Sequence, residues 1–282
     1  YGMRLGASRF VAGESLDECI DAIRKLNHQG FWCNATLLGE AVQNAEEAEL
    51  AEQDYEGLVN RVAKEQLRCH VSIKLTLMGL DHSQELAQAN LRKLLQLSQS
   101  HGLRMRIDME DSSHVDATLE VYRSLLQEGF QNLGAVLQAS LRRTASDLAS
   151  LLPLRPNLRL VKGAYLEPEA VAYPDKAEVD RNYMELMERA LGSGGYTAIA
   201  THDQRMVESA ITIADGLKLP RDRFEFQMLY GIRPQLQRDL WRRGYTVLVA
   251  TSYGIHWYPF FMRRLAERPA NVVFLLRNVV RR

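Results

Sequence analysis

The chain has no run of 18 or more consecutive apolar residues, the length a membrane-crossing helix requires, so no spanning helix is expected. Nor does it open on a basic segment followed by an apolar core, so no signal peptide is read. Cysteine is scarce: Cys19, Cys33 and Cys69 are odd in number and follow no CxxC spacing, which excludes a disulfide framework and gives no zinc pattern. They read as buried thiols packing as small hydrophobes. Charge of one sign is also missing, with 35 Lys plus Arg against 35 Asp plus Glu, so no overall field draws nucleic acid or an anionic membrane. No internal repeat, low-complexity tract or linker breaks the chain. A glycine-rich dinucleotide loop is absent too, because Gly192, Gly194 and Gly195 follow a helical segment rather than a strand and read as a cap and turn. Together these point to a cytoplasmic location, at most peripheral to the inner face of the membrane, and to one domain over residues 1–282.

What the chain does have is rhythm. Eight short apolar runs each close on a polar or charged residue: Glu40, Lys74, Asp108, Gln138, Lys162, His202, Gln227 and Ser252. Parallel strands buried on both faces read as continuous apolar runs, and in a closed α/β barrel chemistry collects where they end. The length of 282 residues suits such a barrel, which takes ~250 residues as one unit. The expected fold class is therefore α/β, a (β/α)8 TIM-type barrel.

Strands are expected over Phe31–Leu38, Cys69–Thr76, Met105–Met109, Gly134–Gln138, Leu158–Ala164, Tyr196–Thr201, Phe224–Met228 and Tyr245–Ala250. Helical spacing falls between them, from Ala41–Glu65 to Trp257–Ala266, and Pro234 suits a first helical turn. One helix, Ser15–His28, precedes the first strand, with Ser15 and Glu18 spaced as a capping box. The stretch holding Pro168 and Pro174 is the longest irregular one. The apolar segment Val272–Leu276 is too short for a second domain and reads as a cap on the barrel.

Four groups stand out chemically. Asp108, Glu110 and Asp111 make a dense acidic strand end that suits a metal, acid/base work or a cation partner, and spacing alone does not choose. Lys74 lies inside Val71-Ser-Ile-Lys-Leu-Thr76, where a buried ammonium needs a compensating negative charge; Asp108 on the next strand is the obvious one. Arg263 and Arg264 sit among aromatics in Trp257-Tyr-Pro-Phe-Phe-Met-Arg-Arg-Leu, and dry walls strengthen guanidinium recognition of a carboxylate or phosphate. His202 is a lone strand-end histidine, and without a second one nearby zinc is a weak idea.

The blocks Val71-Ser-Ile-Lys-Leu-Thr, Arg106-Ile-Asp-Met-Glu-Asp, Val136-Leu-Gln-Ala, Arg159-Leu-Val-Lys-Gly-Ala-Tyr165, Ala200-Thr-His-Asp, Phe224-Glu-Phe-Gln-Met-Leu-Tyr-Gly231 and Phe261-Met-Arg-Arg-Leu-Ala-Glu267 closely resemble those of the monofunctional bacterial proline dehydrogenases. The likeness spans nearly the whole chain. It implies a distorted (β/α)8 barrel carrying non-covalent FAD, which takes a hydride from the ring carbon beside the proline nitrogen. Δ1-Pyrroline-5-carboxylate is released, electrons pass to a quinone, and a pyrroline-5-carboxylate dehydrogenase is the downstream partner.

The resemblance also implies roles. Arg263 and Arg264 clamp the substrate carboxylate with Lys74 nearby and Asp108 holding Lys74; Tyr165 and Leu229 wall the substrate. Arg159 reaches the flavin N5 region and Gln138 its polar edge, while Met109, Lys162, Gly163, Ala164, Thr201 and His202 line the cofactor. Glu40 resembles the family's acidic gate, able to pair with Arg263. One departure is clear. The family carries a tyrosine against the substrate ring on the last strand, where this chain reads Leu248-Val249-Ala250. A wider pocket there admits 4-hydroxyproline or another proline analogue as the alternative substrate.

Two other classes remain to be weighed. A metal-dependent isomerase or aldolase built on Glu40, Asp108, Glu110 and His202 would set Lys74 and two arginines beside the metal, an unfavourable field, so no metal is expected. A non-enzymatic binding protein would account for the arginine pair but leaves Arg159, Lys74 and Asp108 without a role.

Overall fold

The structure, a computed structural model, describes residues 7–39 and 41–266. Eight parallel strands close into a barrel in chain order: β1 (Trp32–Leu37), β2 (Cys69–Ile73), β3 (Met105–Ile107), β4 (Leu133–Gln138), β5 (Asn157–Val161), β6 (Tyr196–Ala200), β7 (Phe224–Leu229) and β8 (Val247–Tyr253). Closure is by β8 on β1, from Trp32 opposite Leu248 to Leu37 opposite Tyr253. The (β/α)8 class read from the apolar runs is therefore the observed one.

The helices are α1 (Leu16–His28), α2 (Ala45–Lys64), α3 (Gln84–Ser100), α4 (Val115–Gln127), α5 (Thr144–Leu151), α6 (Lys176–Leu191), α7 (Gln204–Gly216), α8 (Pro234–Arg242) and α9 (Trp257–Ala266). Helix α1 begins as its sequence dictates: the Ser15 hydroxyl accepts from Glu18 N, and Ser15 N donates to the Glu18 carboxylate at 3.2 Å. Its buried face of Cys19, Ile20, Ile23 and Leu26 packs against β1 and β8. A regular barrel lays its eighth helix on that seam. Here α9 instead packs Phe261 with Ala7, Phe10 and Ile232, beside Leu229 at the strand ends. That exchange is the distortion of the barrel, and it turns α9 toward the catalytic face.

Two strand ends differ from the apolar pattern, each for a local reason. Strand β8 runs on past Ala250 because Thr251, Ser252 and Tyr253 continue the ladder with Ala35, Thr36 and Leu37. Their polar side chains hide the extension from a hydrophobicity reading. Strand β5 stops at Val161, and Gly163 follows with φ +119°. A Cβ there would lie 2.1 Å from Ser140 Oγ, so only glycine lets the chain turn off the sheet at that point.

The core between strands and helices is apolar, with Tyr55, Tyr122, Tyr183, Phe31 and Phe226 its largest fully buried side chains. The three cysteines are buried and unbridged, and burial raises each thiol pKa, which removes them from thiolate chemistry. Inside the barrel the filling is polar: Asn34, Ser72, Arg106, Arg159, Glu225 and Gln227 are all buried. No helix among the described residues is long and apolar enough to cross a membrane. The segment Val272–Leu276, read as a cap, lies outside the described residues.

Candidate active site

The strand ends gather the sequence-selected residues at one mouth, in three groups. The first spans β3, β4 and β5. Arg159, on β5, pairs with Asp108, one residue beyond β3, and its Nη1 donates to Gln227 Oε1 on β7 at 3.3 Å. Residues on alternate strands meet in the interior of such a barrel, which is why β3, β5 and β7 reach one another past β4 and β6. Arg159 is only 9 % exposed, and its Nε is buried with no hydrogen-bond partner among the described residues. Buried donors are nearly always satisfied, so an orphan guanidinium nitrogen at a barrel mouth marks a place for a ligand acceptor.

Asp108 thus finds a guanidinium that the neighbour-strand argument did not supply, whereas Lys74 Nζ donates to Gly39 O at 2.8 Å. Lys74 is buried, as its apolar run requires. Glu110 turns away from the acidic cluster: its carboxylate accepts from Thr76 N at 3.1 Å and Thr76 Oγ1 at 2.6 Å. Burial pushes its pKa up, while the Thr76 bonds and the Lys74 charge pull the other way. Gln138 donates to Glu110 O at 2.6 Å, and Met109 is buried beside it in sequence. Glu110 is therefore a brace of the β2 and β3 ends.

The second group lies at the ends of β5, β6 and β7. Lys162 pairs with Asp180 and, at 3.4 Å, with Asp203, which fixes a cation at the rim. Gly163 and Ala164 expose their backbone there, and Thr201 is buried at the start of the next loop. His202 Nε2 accepts from Leu229 N at 2.9 Å, so that nitrogen is unprotonated and the ring locks β6 to β7. Among the described residues no cluster of three His, Cys, Asp or Glu side chains is arranged to hold a metal ion.

The third group is contributed by α9. Arg263 and Lys74 line one cavity of about 510 Å³, with Leu37, Gly39, Asp54 and Phe260 on its walls. The Arg263 guanidinium sits 5.8 Å from the centre of the Tyr165 ring, which ties the loop after β5 to the last helix. Arg264 is buried with its guanidinium 5.0 Å from the Phe260 ring centre. Adjacent on the helix, the two arginines diverge, one into the cavity and one into the α9 packing. Glu40, the proposed gate, lies outside the described residues.

Some functional-looking residues escaped the sequence reading. Asp203, the N-cap of α7, and Asp180, in the second turn of α6, hold Lys162; in sequence the first reads as an ordinary cap and the second as a solvated helix position. Glu225 sits inside a hydrophobic strand two residues before Gln227, and only strand alternation, placing both on the inner face, could have flagged it. His114 bridges two loops of this face, from Nε2 to Asp81 at 2.8 Å and Nδ1 to Asp111 at 3.0 Å.

The comparisons agree with this geometry. The sequence model of the family described as proline dehydrogenase matches residues 19–277. Proline dehydrogenase 1 of Bacillus subtilis (strain 168) is 43% identical over 282 residues, covering 100% of this chain and 93% of that protein. The proline dehydrogenase of Deinococcus radiodurans is 42% identical over 279 residues, covering 98% of this chain and 90% of the relative. Among solved structures, proline utilization A from Bdellovibrio bacteriovorus inactivated by N-propargylglycine superposes with a TM-score of 0.87 at 28% identity, over 93% of this chain and 32% of that one. A family match over most of the chain, relatives alike over nine tenths or more of their length and a barrel mouth rich in fixed cations lead to one assignment: this chain belongs to the proline dehydrogenase family.

Proposed function

We propose that the chain oxidises L-proline to Δ1-pyrroline-5-carboxylate with FAD as the bound oxidant and a quinone as the final acceptor. The observation that carries this reading is the cavity lined by both Lys74, just beyond β2, and Arg263, on α9. Such a pair suits a compact carboxylate substrate. A bound flavin supplies a two-electron oxidant for the hydride that leaves the ring carbon beside the nitrogen, the nitrogen proton being lost to solvent.

The residues present fit that cofactor. Arg159 offers an unsatisfied buried donor where negative charge would develop, and a fixed cation there stabilises it without reorganising. Gln138, Met109, Lys162, Gly163, Ala164, Thr201 and His202, at or just past the ends of β3 to β6, would hold the isoalloxazine and its chain. Arg263 and Lys74 hold the substrate carboxylate, and Tyr165 and Leu229 wall the ring; a part for Arg264 in that clamp rests on the family resemblance alone. Asp108 sets Arg159 by ion pairing. Fixing a small anion against an oxidant is catalysis by proximity, with little demand for a strong acid or base. Glu40 as a gate on Arg263 rests on the family resemblance alone.

A second substrate reading is favoured by one feature. Ala250 on β8 stands in register with Leu229 on β7, so the wall beside Leu229 carries a methyl group where the family resemblance calls for an aromatic ring. That space suits 4-hydroxyproline. The test is absorbance: FAD-loaded protein should be yellow and should bleach anaerobically on adding L-proline, with pyrroline-5-carboxylate appearing in equal amount. Bleaching by trans-4-hydroxy-L-proline alone would move the substrate assignment, and protein that never retains FAD would remove the reading.

A further inference from the structure

Below Arg159, the barrel interior holds a directed chain of hydrogen bonds that the proposed chemistry does not use. Gln227 Oε1 accepts from Arg159 at 3.3 Å, Gln227 Nε2 donates to Glu225 Oε1 at 2.5 Å, and Glu225 Oε2 accepts from the Tyr196 hydroxyl at 2.9 Å. Glu225 and Gln227 are each 3 % exposed. An amide has two ends of opposite character. With its NH2 on the Glu225 carboxylate, Gln227 must turn its oxygen to the guanidinium; flipped, it would set NH2 against Arg159 and oxygen against a carboxylate, two repulsions at once.

The pattern of charge agrees. Arg106, fully enclosed beneath, has its pKa lowered to about 10 by burial and by the nearby Arg159 charge, with Glu225 acting in the opposite direction. The Tyr196 hydroxyl is pushed well above its ordinary value, by burial first and by Glu225 next, so it stays a neutral donor. Small residues leave room for the chain: Ala198 on β6 lies in register between Arg159 and Glu225.

We propose that Glu225 and Gln227 are positioning residues, with the Glu225 carboxylate locking the Gln227 amide so that its oxygen holds the Arg159 guanidinium at a fixed height in the barrel mouth. Asp108 grips the same guanidinium from the strand-end side. Arg159 is thereby held from two directions while its Nε remains directed at neither. The proposal deepens the flavin reading above and rests on it, since a fixed Arg159 matters only if an acceptor sits over it.

The test uses full-length FAD-loaded protein and the dissociation constant of sulfite, an anion whose adduct at flavin N5 is stabilised by nearby positive charge. Gln227→Met keeps volume and charge. It should weaken sulfite binding about tenfold, the equivalent of one hydrogen bond to a charged group. The same loss is expected for Glu225→Gln, in which the amide lock loses its direction; Gln227→Met carries the test where that variant does not fold. In an Arg159→Met background the Gln227→Met effect should vanish, because Gln227 acts only through that guanidinium. A sulfite constant within twofold of wild type for both single variants, or an effect that persists without Arg159, would overturn the proposal while leaving the flavin reading intact. Wild-type protein that holds no FAD takes down both.

Discussion

The Arg263 guanidinium lies 5.8 Å from the centre of the Tyr165 ring, so the last helix and the loop after β5 share one wall of the mouth. The same arginine lines the cavity with Lys74, which brings residues from three distant parts of the chain around one space.

From that relationship, Arg263→Met should raise the proline concentration for half-maximal flavin bleaching by roughly 30-fold, the cost of one charge-assisted bond. Flavin content should be unchanged. Anaerobic titration of variant and wild type, with FAD released by denaturation as the control, reads both numbers.

Asp108→Asn should act on rate. Neutralising one partner of the partly buried Asp108–Arg159 pair leaves the guanidinium without its counter-charge. The rate of flavin reduction should fall by about tenfold or more with the proline concentration dependence little altered, as rapid-mixing absorbance would show.

The sequence made the barrel legible, and for a physical reason: strands buried on both faces leave continuous apolar runs, so eight runs announce eight strands. Helix α8 starts at Pro234 and α9 starts at Trp257, as their spacing requires. The seam was harder. That α1 rather than α9 covers β8 and β1 depends on which apolar faces find each other, and both helices are amphipathic. In the site, cations inside apolar runs were visible because their burial is costly, as with Lys74. Their partners were not. Asp108 meets Arg159 two strands away across the barrel interior, and Lys162 meets Asp180 where α6 folds back on the end of β5.

Ala250 gives a specificity prediction. Ala250→Tyr should fill the space beside Leu229 and lower kcat/KM for trans-4-hydroxy-L-proline relative to L-proline by about tenfold, within the range that contact changes in a pocket provide. Steady-state rates on both substrates measure the ratio.

The His114 bridge predicts a pH dependence of stability. Burial opposes the charged ring, but the bonds to Asp81 and Asp111 outweigh it and leave the pKa raised above 6.5. A base with a raised folded pKa contributes its full stability below the unfolded value and loses it as pH climbs through the folded one. Half-exposed pairs of this kind are worth about 0.5 kcal/mol. His114→Gln should therefore lower the melting temperature at pH 6 and approach wild type by pH 9, and a constant difference across that range would contradict the assignment.

The most direct test follows flavin bleaching with L-proline carrying deuterium on the ring carbon beside the nitrogen, measured in a single anaerobic turnover of the FAD-loaded chain. Transfer of that hydride at the barrel mouth predicts a slower bleach with the labelled substrate and pyrroline-5-carboxylate as product. Equal rates from the two isotopologues with no pyrroline-5-carboxylate formed, or no bleaching at all, would contradict it.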